Sequence, residues 1–319
     1  MDAGKPVTLA THAGKRPVER RGVFSKKLSG IIEPYLYVSP ALVLILAVML
    51  MPLVLGLSYA FRDIRILNPF SGGFVGTAHF ETLMSDQAFL GALINTAWWT
   101  FGSLFFQFGL GLILALLLNR DFVGRRLIQA LVFLPWAVPT FLSGLNWAWM
   151  FNPVVGPLPH WLTSLGLMAE PFNILSDPDL AMWGPIIANI WFGIPFFAIT
   201  MLAALQSIPK ELYEAASIDG ATTRQQFISI TLPFLAPTIA ITLMLRTIWI
   251  ANFADLIVVM TKGGPADSTQ IVASYIFTQA FRRLDFGYAS AIAAVLLVLL
   301  LAYALAVIGL RRAMTHADN

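Results

Sequence analysis

The chain contains no cysteine. That excludes disulfides, cysteine-ligated zinc and a thiol nucleophile, and it leaves the redox compartment open. Charge is scarce too. Only 12% of the 319 residues are Asp, Glu, Lys or Arg, about half of what an ordinary soluble domain carries. The four histidines, His12, His79, His160 and His316, are far apart and outside every apolar run. No metal cluster and no histidine-based triad is therefore expected. Neither HExxH nor GxxxxGK[ST] occurs; Gly14-Lys15 is followed by Arg16. With no Walker-type loop to cradle phosphates, any use of ATP requires a second chain. No clear internal repeat of the kind found in many secondary carriers is visible. The net charge of +3 is too small to indicate a nucleic-acid partner.

What the chain does have is hydrocarbon. Apolar residues make up 58% of it, and the mean hydropathy is +0.76. A helical membrane span takes about 20 mostly apolar residues. Six segments qualify: Tyr35–Phe61, Leu90–Leu118, Leu127–Phe151, Leu180–Leu205, Leu232–Met260 and Gly287–Leu310. Strand-period alternation is absent. The expected fold is all-α, a polytopic membrane protein with six transmembrane helices. The first segment is too long for a signal sequence and lacks a small-residue cleavage site, so no processing is expected.

Basic residues set the orientation. Fourteen of the twenty Lys and Arg fall in residues 1–33, 119–126 and 206–231 and in the tail after Leu310, while five lie in the alternate loops. By the positive-inside rule both termini are cytoplasmic. Residues 1–33 read as a basic tail near anionic headgroups, residues 34–310 as the transmembrane domain, and residues 311–319 as a second short tail. The outer loops look ordered: Thr77 and Asp86 stand as helix N-caps, and His79–Met84 reads as a short interfacial helix.

The cytoplasmic loop 207–233 carries the strongest signal. Pro209 suits a first helical turn, and Lys210 to Ser217 read as a short helix with Glu211 and Glu214 early in it. Asp219-Gly220 is a turn pair. Thr222 with Gln225 fits a capping box opening a second short helix, which Leu232-Pro233 is expected to end. Ala215 and Ala216 keep the first helix thin, and Tyr213 and Ile218 offer apolar anchors. Two readings are open on these residues: a docking knob for another protein, or an interfacial cap without a partner.

Glu214-Ala215-Ala216, Asp219-Gly220-Ala221, Phe227, Ile230, Leu232-Pro233 and Pro237 together resemble the EAA motif of ABC importer permeases. Asn95-Thr96, Gly263-Gly264-Pro265 and Gly287-Tyr288-Ala289-Ser290-Ala291 are similar to the carbohydrate-importer branch, of the maltose and glycerol-phosphate type. The resemblance covers about Tyr35 to Leu310. It implies a type I importer permease in a bacterial inner membrane. It also implies a second homologous permease, two copies of an ABC ATPase that bind ATP and Mg, and an extracytoplasmic binding protein that delivers a sugar. Tyr213, Glu214, Ala215, Ala216, Asp219 and Gly220 are then the ATPase-docking residues. This chain itself is expected to bind no cofactor and to catalyse nothing. A stand-alone carrier or membrane enzyme is the alternative; such a protein has no use for an ATPase-docking knob.

Span five holds polar groups, and ionisable residues in a span usually face a bundle interior or a watery cavity. On a straight helix Asn252 and Asp255 share a face, with Trp249 nearby. An amide, a carboxylate and a ring on one stripe suit a sugar, and by resemblance this segment contacts substrate. Asp255 has a second reading as a partner of a base on the other permease. Arg246 falls on the opposite side, to pair across the subunit interface or to meet an anionic substrate group.

Overall fold

A computed structural model describes the backbone of residues 23–317 and the side chains of residues 34–313. Most of the expected basic tail, residues 1–22, lies outside the described residues. The described chain is helical. Two isolated bridges, Arg62 with Phe74 and Arg65 with Asp285, are its sole strand-like pairings among the described residues. Its internal contacts divide it into two units, residues 1–55 and 56–319.

The first unit is built on α1 (Val23–Ile45), a wide π turn over Leu46–Leu50, and the opening of α2 (Met51–Tyr59). Residues 23–33 of the expected tail are thus helical. Pro52 has no N–H and crowds the carbonyl four residues back, and the wide turn before it makes room. Pro34–Tyr59 is one of five helices among the described residues that are long and apolar enough to cross a membrane.

The second unit opens with α3 (Ala78–Ser85), the short outer helix expected near His79. Next come α4 (Gln87–Leu118), α5 (Arg125–Val132), α6 (Leu134–Ala137), α7 (Thr140–Met150) and α8 (Pro157–Ser164). The chain continues through α9 (Trp183–Gln206), α10 (Lys210–Ile218) and α11 (Thr223–Gln226). It ends with α12 (Leu232–Ala251), α13 (Asp255–Met260), α14 (Val272–Phe277) and α15 (Phe286–Ala317).

Three features differ in detail from what the sequence implied. The third span, expected as one apolar helix over 127–151 kinked by Pro135 and Pro139, is interrupted outright at the second of them. Pro139 forces Val138 into an extended conformation (ψ 124°), and α7 starts afresh at Thr140. Leu232-Pro233 does not end the second loop helix: a π turn over Phe227–Thr231 carries α11 into α12 and accommodates the proline. α15 runs past Leu310, so residues 311–317 of the expected C-terminal tail are helical.

α4 and α9 form the most extensive helix pair. Small residues permit it: a Cβ on Gly111 would overlap Phe197, and one on Gly193 would overlap the Gln107 amide. Lipid supplies no hydrophobic drive between helices, so such close approach matters for their packing. The Trp99 indole donates to the Ile250 carbonyl at 2.9 Å, tying α12 to the pair.

At the N-terminus of α4, Asp86 caps the helix by accepting from Ala88 and Phe89 and also accepts hydroxyls from Tyr275 (2.7 Å) and Tyr288 (2.6 Å). Burial alone would raise this carboxyl. The four hydrogen bonds outweigh it and hold Asp86 below its ordinary value. Burial and donation to that carboxylate push Tyr275 up to about 12.

Candidate functional site

The loop 207–233 folds as a compact unit. Pro209, extended at ψ 132°, opens α10. Asp219 closes it, and Gly220 follows with φ +80°, a left-handed conformation that glycine adopts without strain. Thr222 and Gln225 form the capping box read from the sequence. The Gln226 amide donates to the Ser217 hydroxyl at 2.9 Å and ties α11 to α10.

Tyr213 turns toward the bundle. Its hydroxyl is 2.8 Å from that of Thr231, and its side chain packs against the buried cluster that contains Met201, Leu205, Ile208 and Leu235. It therefore seats the loop on the spans instead of projecting outward with the other expected docking residues. Glu214, Ala215, Asp219 and Gly220 are exposed, Ala216 is half-buried, and Ile218 is 86% exposed. The face turned away from the bundle is thin, carries two carboxylates and ends in an apolar side chain.

The span-five stripe is not a stripe. α12 ends at Ala251, and α13 begins at Asp255. No proline lies between them. Asn252 instead bends its side chain back to the Ile248 carbonyl (2.9 Å) and caps α12. Phe253 stacks on Phe192 of α9, with ring centroids 5.6 Å apart. Asp255 sits in the first turn of α13, where the dipole favours an acid, and accepts the Thr140 hydroxyl at 2.6 Å. The breaks in spans three and five thus meet through one hydrogen bond. Asn252 and Asp255 are both exposed, but they belong to different helices.

Arg246 and Trp249 do come together. The guanidinium is buried, 4.8 Å from the Trp249 ring and 5.7 Å from Phe196, within cation–π range of both. Its Nε donates to Gln107 Oε1 at 2.9 Å, and the Gln107 amide donates on to the Asn189 carbonyl at 2.8 Å. These partners all come from this chain. Among the described residues no carboxylate neutralises Arg246. Asn189 is fully buried, and neither side-chain amide atom has a partner among the described residues. Trp249 remains half-exposed. Trp249 is the reachable member of this group and Arg246 lies behind it, so a polar ring that stacks on Trp249 meets the cation only where the bundle opens onto Arg246. Sequence reading missed Gln107, Phe196 and Thr140. A glutamine inside span two was the available signal for Gln107; nothing in the sequence marked the other two.

The family model described as binding-protein-dependent transport system inner membrane component matches residues 107–315. The trehalose/maltose transport system permease of Thermococcus litoralis is 36% identical over 271 residues, covering 84% of this chain and 90% of its own length. The sulfoquinovosyl glycerol permease of Agrobacterium fabrum is 34% identical over 268 residues, covering 83% of this chain and 85% of its own. A bacterial ABC transporter that imports the acidic polysaccharide alginate has a chain that superposes with a TM-score of 0.78 at 27% identity, covering 91% of this chain and 99% of that one. That transporter has also been solved with an alginate pentasaccharide-bound periplasmic protein.

Proposed function

Because the chain belongs to the family of binding-protein-dependent transport inner membrane components, we propose that the α10–α11 loop is where it receives the force of ATP hydrolysis. The chain is a permease subunit of an ATP-driven, binding-protein-dependent sugar importer. In our reading it pairs with a second, homologous permease, and two ATPase subunits bind ATP and Mg below the pair. Both termini are cytoplasmic. The binding protein loads the sugar from outside. ATP closes the ATPase dimer, the docked loops move together, and the path turns outward; hydrolysis resets it. A permease of this kind is a bistable element biased by ligands on opposite faces.

The observation that carries this reading is the division of labour within the loop. Tyr213 and Thr231 hold it to the spans, while Glu214, Ala215, Asp219 and Gly220 stay exposed. A lever needs both attachments. Glu214→Lys reverses one exposed charge and leaves the Tyr213 anchor in place. We expect it to insert normally but to lose co-purifying ATPase and binding-protein-stimulated ATP hydrolysis. Tight ATPase binding and full uptake by this variant would remove α10 from the coupling role.

A second reading concerns the sugar. Arg246 lacks a neutralising carboxylate among the described residues. Relatives are named for sulfoquinovosyl glycerol and for acidic alginate. This favours a sugar that carries a negative group, set against Arg246 with its ring on Trp249.

A further inference from the structure

A second basic site lies at the other end of the spans. A cleft of about 400 Å³ opens where α4 and α9 end and α5 begins, at Leu118, Gln206 and Arg125. Arg125, Arg126, Gln129 and Gln206 form its polar part, and Leu118, Ile199 and Leu202 are among its apolar walls. By the positive-inside rule this is the cytoplasmic boundary.

The charges here are poorly compensated. Arg125 Nη1 meets Asp121 at 3.0 Å, but that carboxylate is almost wholly exposed. Water weakens such a pair. Arg125 Nε is buried without a partner among the described residues. No carboxylate pairs with Arg126 among the described residues. α5 opens on these two arginines with no acid in its first turn and no side-chain cap from Gly124. Cations there oppose the helix dipole. An anion seated in the cleft would relieve all three costs.

The walls narrow the choice of anion. A free phosphate gains nothing from Ile199 and Leu202, whereas an acyl chain does. α5 itself turns Leu127 (66% exposed) and Leu131 (51% exposed) outward, as a helix beside hydrocarbon does. We propose that this cleft binds an anionic phospholipid of the inner leaflet, with its phosphate on Arg125 and Arg126 and an acyl chain along the α4–α9 floor.

The test uses the assembled importer, extracted in mild detergent from membranes that contain phosphatidylglycerol and examined by native mass spectrometry. The Arg125→Gln/Arg126→Gln variant should retain that lipid less well by about fivefold per arginine, a loss equivalent to ~1 kcal/mol each. Adding millimolar inorganic phosphate to the wild type should not displace it; displacement would assign the cleft to a free anion and overturn the proposal. If the double variant loses its ATPase subunits while keeping the lipid, the arginines serve a protein contact and the proposal fails. Leu202→Trp fills the floor without touching charge, so it guards against a misfolded double variant. It should also shed the lipid, and full retention by both variants would overturn the site. Lipid retention is independent of sugar uptake, so this result does not depend on the transport reading.

Discussion

The coupling loop 207–233 and the middle of the spans are built on different principles. In the loop nearly every stabilising contact is local. The capping box spans three residues, the Gln226–Ser217 tie spans nine, and Tyr213–Thr231 spans eighteen. At mid-span the decisive contacts cross the chain. Arg246–Gln107 spans 139 residues, and Thr140–Asp255 spans 115. The loop moves as a unit because it is knit to itself. The interior is knit instead by polar contacts between helices distant in sequence, so a shift of one span against another must break or exchange them. A lever must be stiff and a gate must not be, so the contrast fits the two tasks.

The sharpest way to break this comparison is at Gly220. Its φ is +80°, and a Cβ there would meet nothing within 4 Å. Within this chain, a loss on substitution therefore comes from backbone conformation. Gly220→Val, β-branched and strained at positive φ, should cost about 1–2 kcal/mol locally. Because it misdirects the whole loop, it should abolish uptake. Gly220→Asn, which tolerates this conformation, should keep most activity. Equal loss in both would mean that the glycine serves contact with the ATPase instead of the turn.

The same contrast explains what the sequence disclosed. The loop's first helix, its Asp219-Gly220 turn and its capping box were legible, because caps and turns follow from neighbours; the inward turn of Tyr213 and the passage of the helix through Leu232-Pro233 were not. The spans were legible as lengths of hydrocarbon. The breaks were not equally so: Pro139 signalled one in span three, but the Asn252–Ala254 break carries no proline and depends on Phe192 and Thr140. The same distance hid Gln107 as the partner of Arg246. A straight-helix projection placed Asn252 and Asp255 on one face because it had no means of ending the helix between them.

A middling effect is expected where the interior holds its charge. Arg246→Met keeps the length and removes the cation, leaving Gln107 Oε1 without a donor at about 1–3 kcal/mol. Gln107→Leu removes the guanidinium's hydrogen-bond acceptor and strands a charge, which should be the costlier change. The double variant should recover assembly toward wild type. Thermal melting of the purified importer reads all three, and two singles that melt like wild type would end the structural role. Uptake separates that role from recognition. If the sugar's anion sits on Arg246, the recovered double variant should still fail to import an anionic sugar.

The smallest effect is expected at the joint between the two broken spans. Thr140→Val keeps the shape and deletes the hydroxyl that Asp255 accepts at 2.6 Å. Asp255 is exposed, so water replaces most of that bond. The loss should be about 0.5–1.5 kcal/mol, roughly threefold to tenfold in the balance between arrangements. If the bond holds the breaks in register, Thr140→Val and Asp255→Leu should change uptake in the same direction and by similar amounts, with ATPase co-purification untouched because α10 is built separately. Should Asp255→Leu lose uptake while Thr140→Val transports normally, the carboxylate is serving the sugar and the joint is incidental. Measuring both variants against the Gly220 pair then gives the order that the structure implies: a stiff local lever that fails outright when bent, and a compliant interior that loses function by degrees.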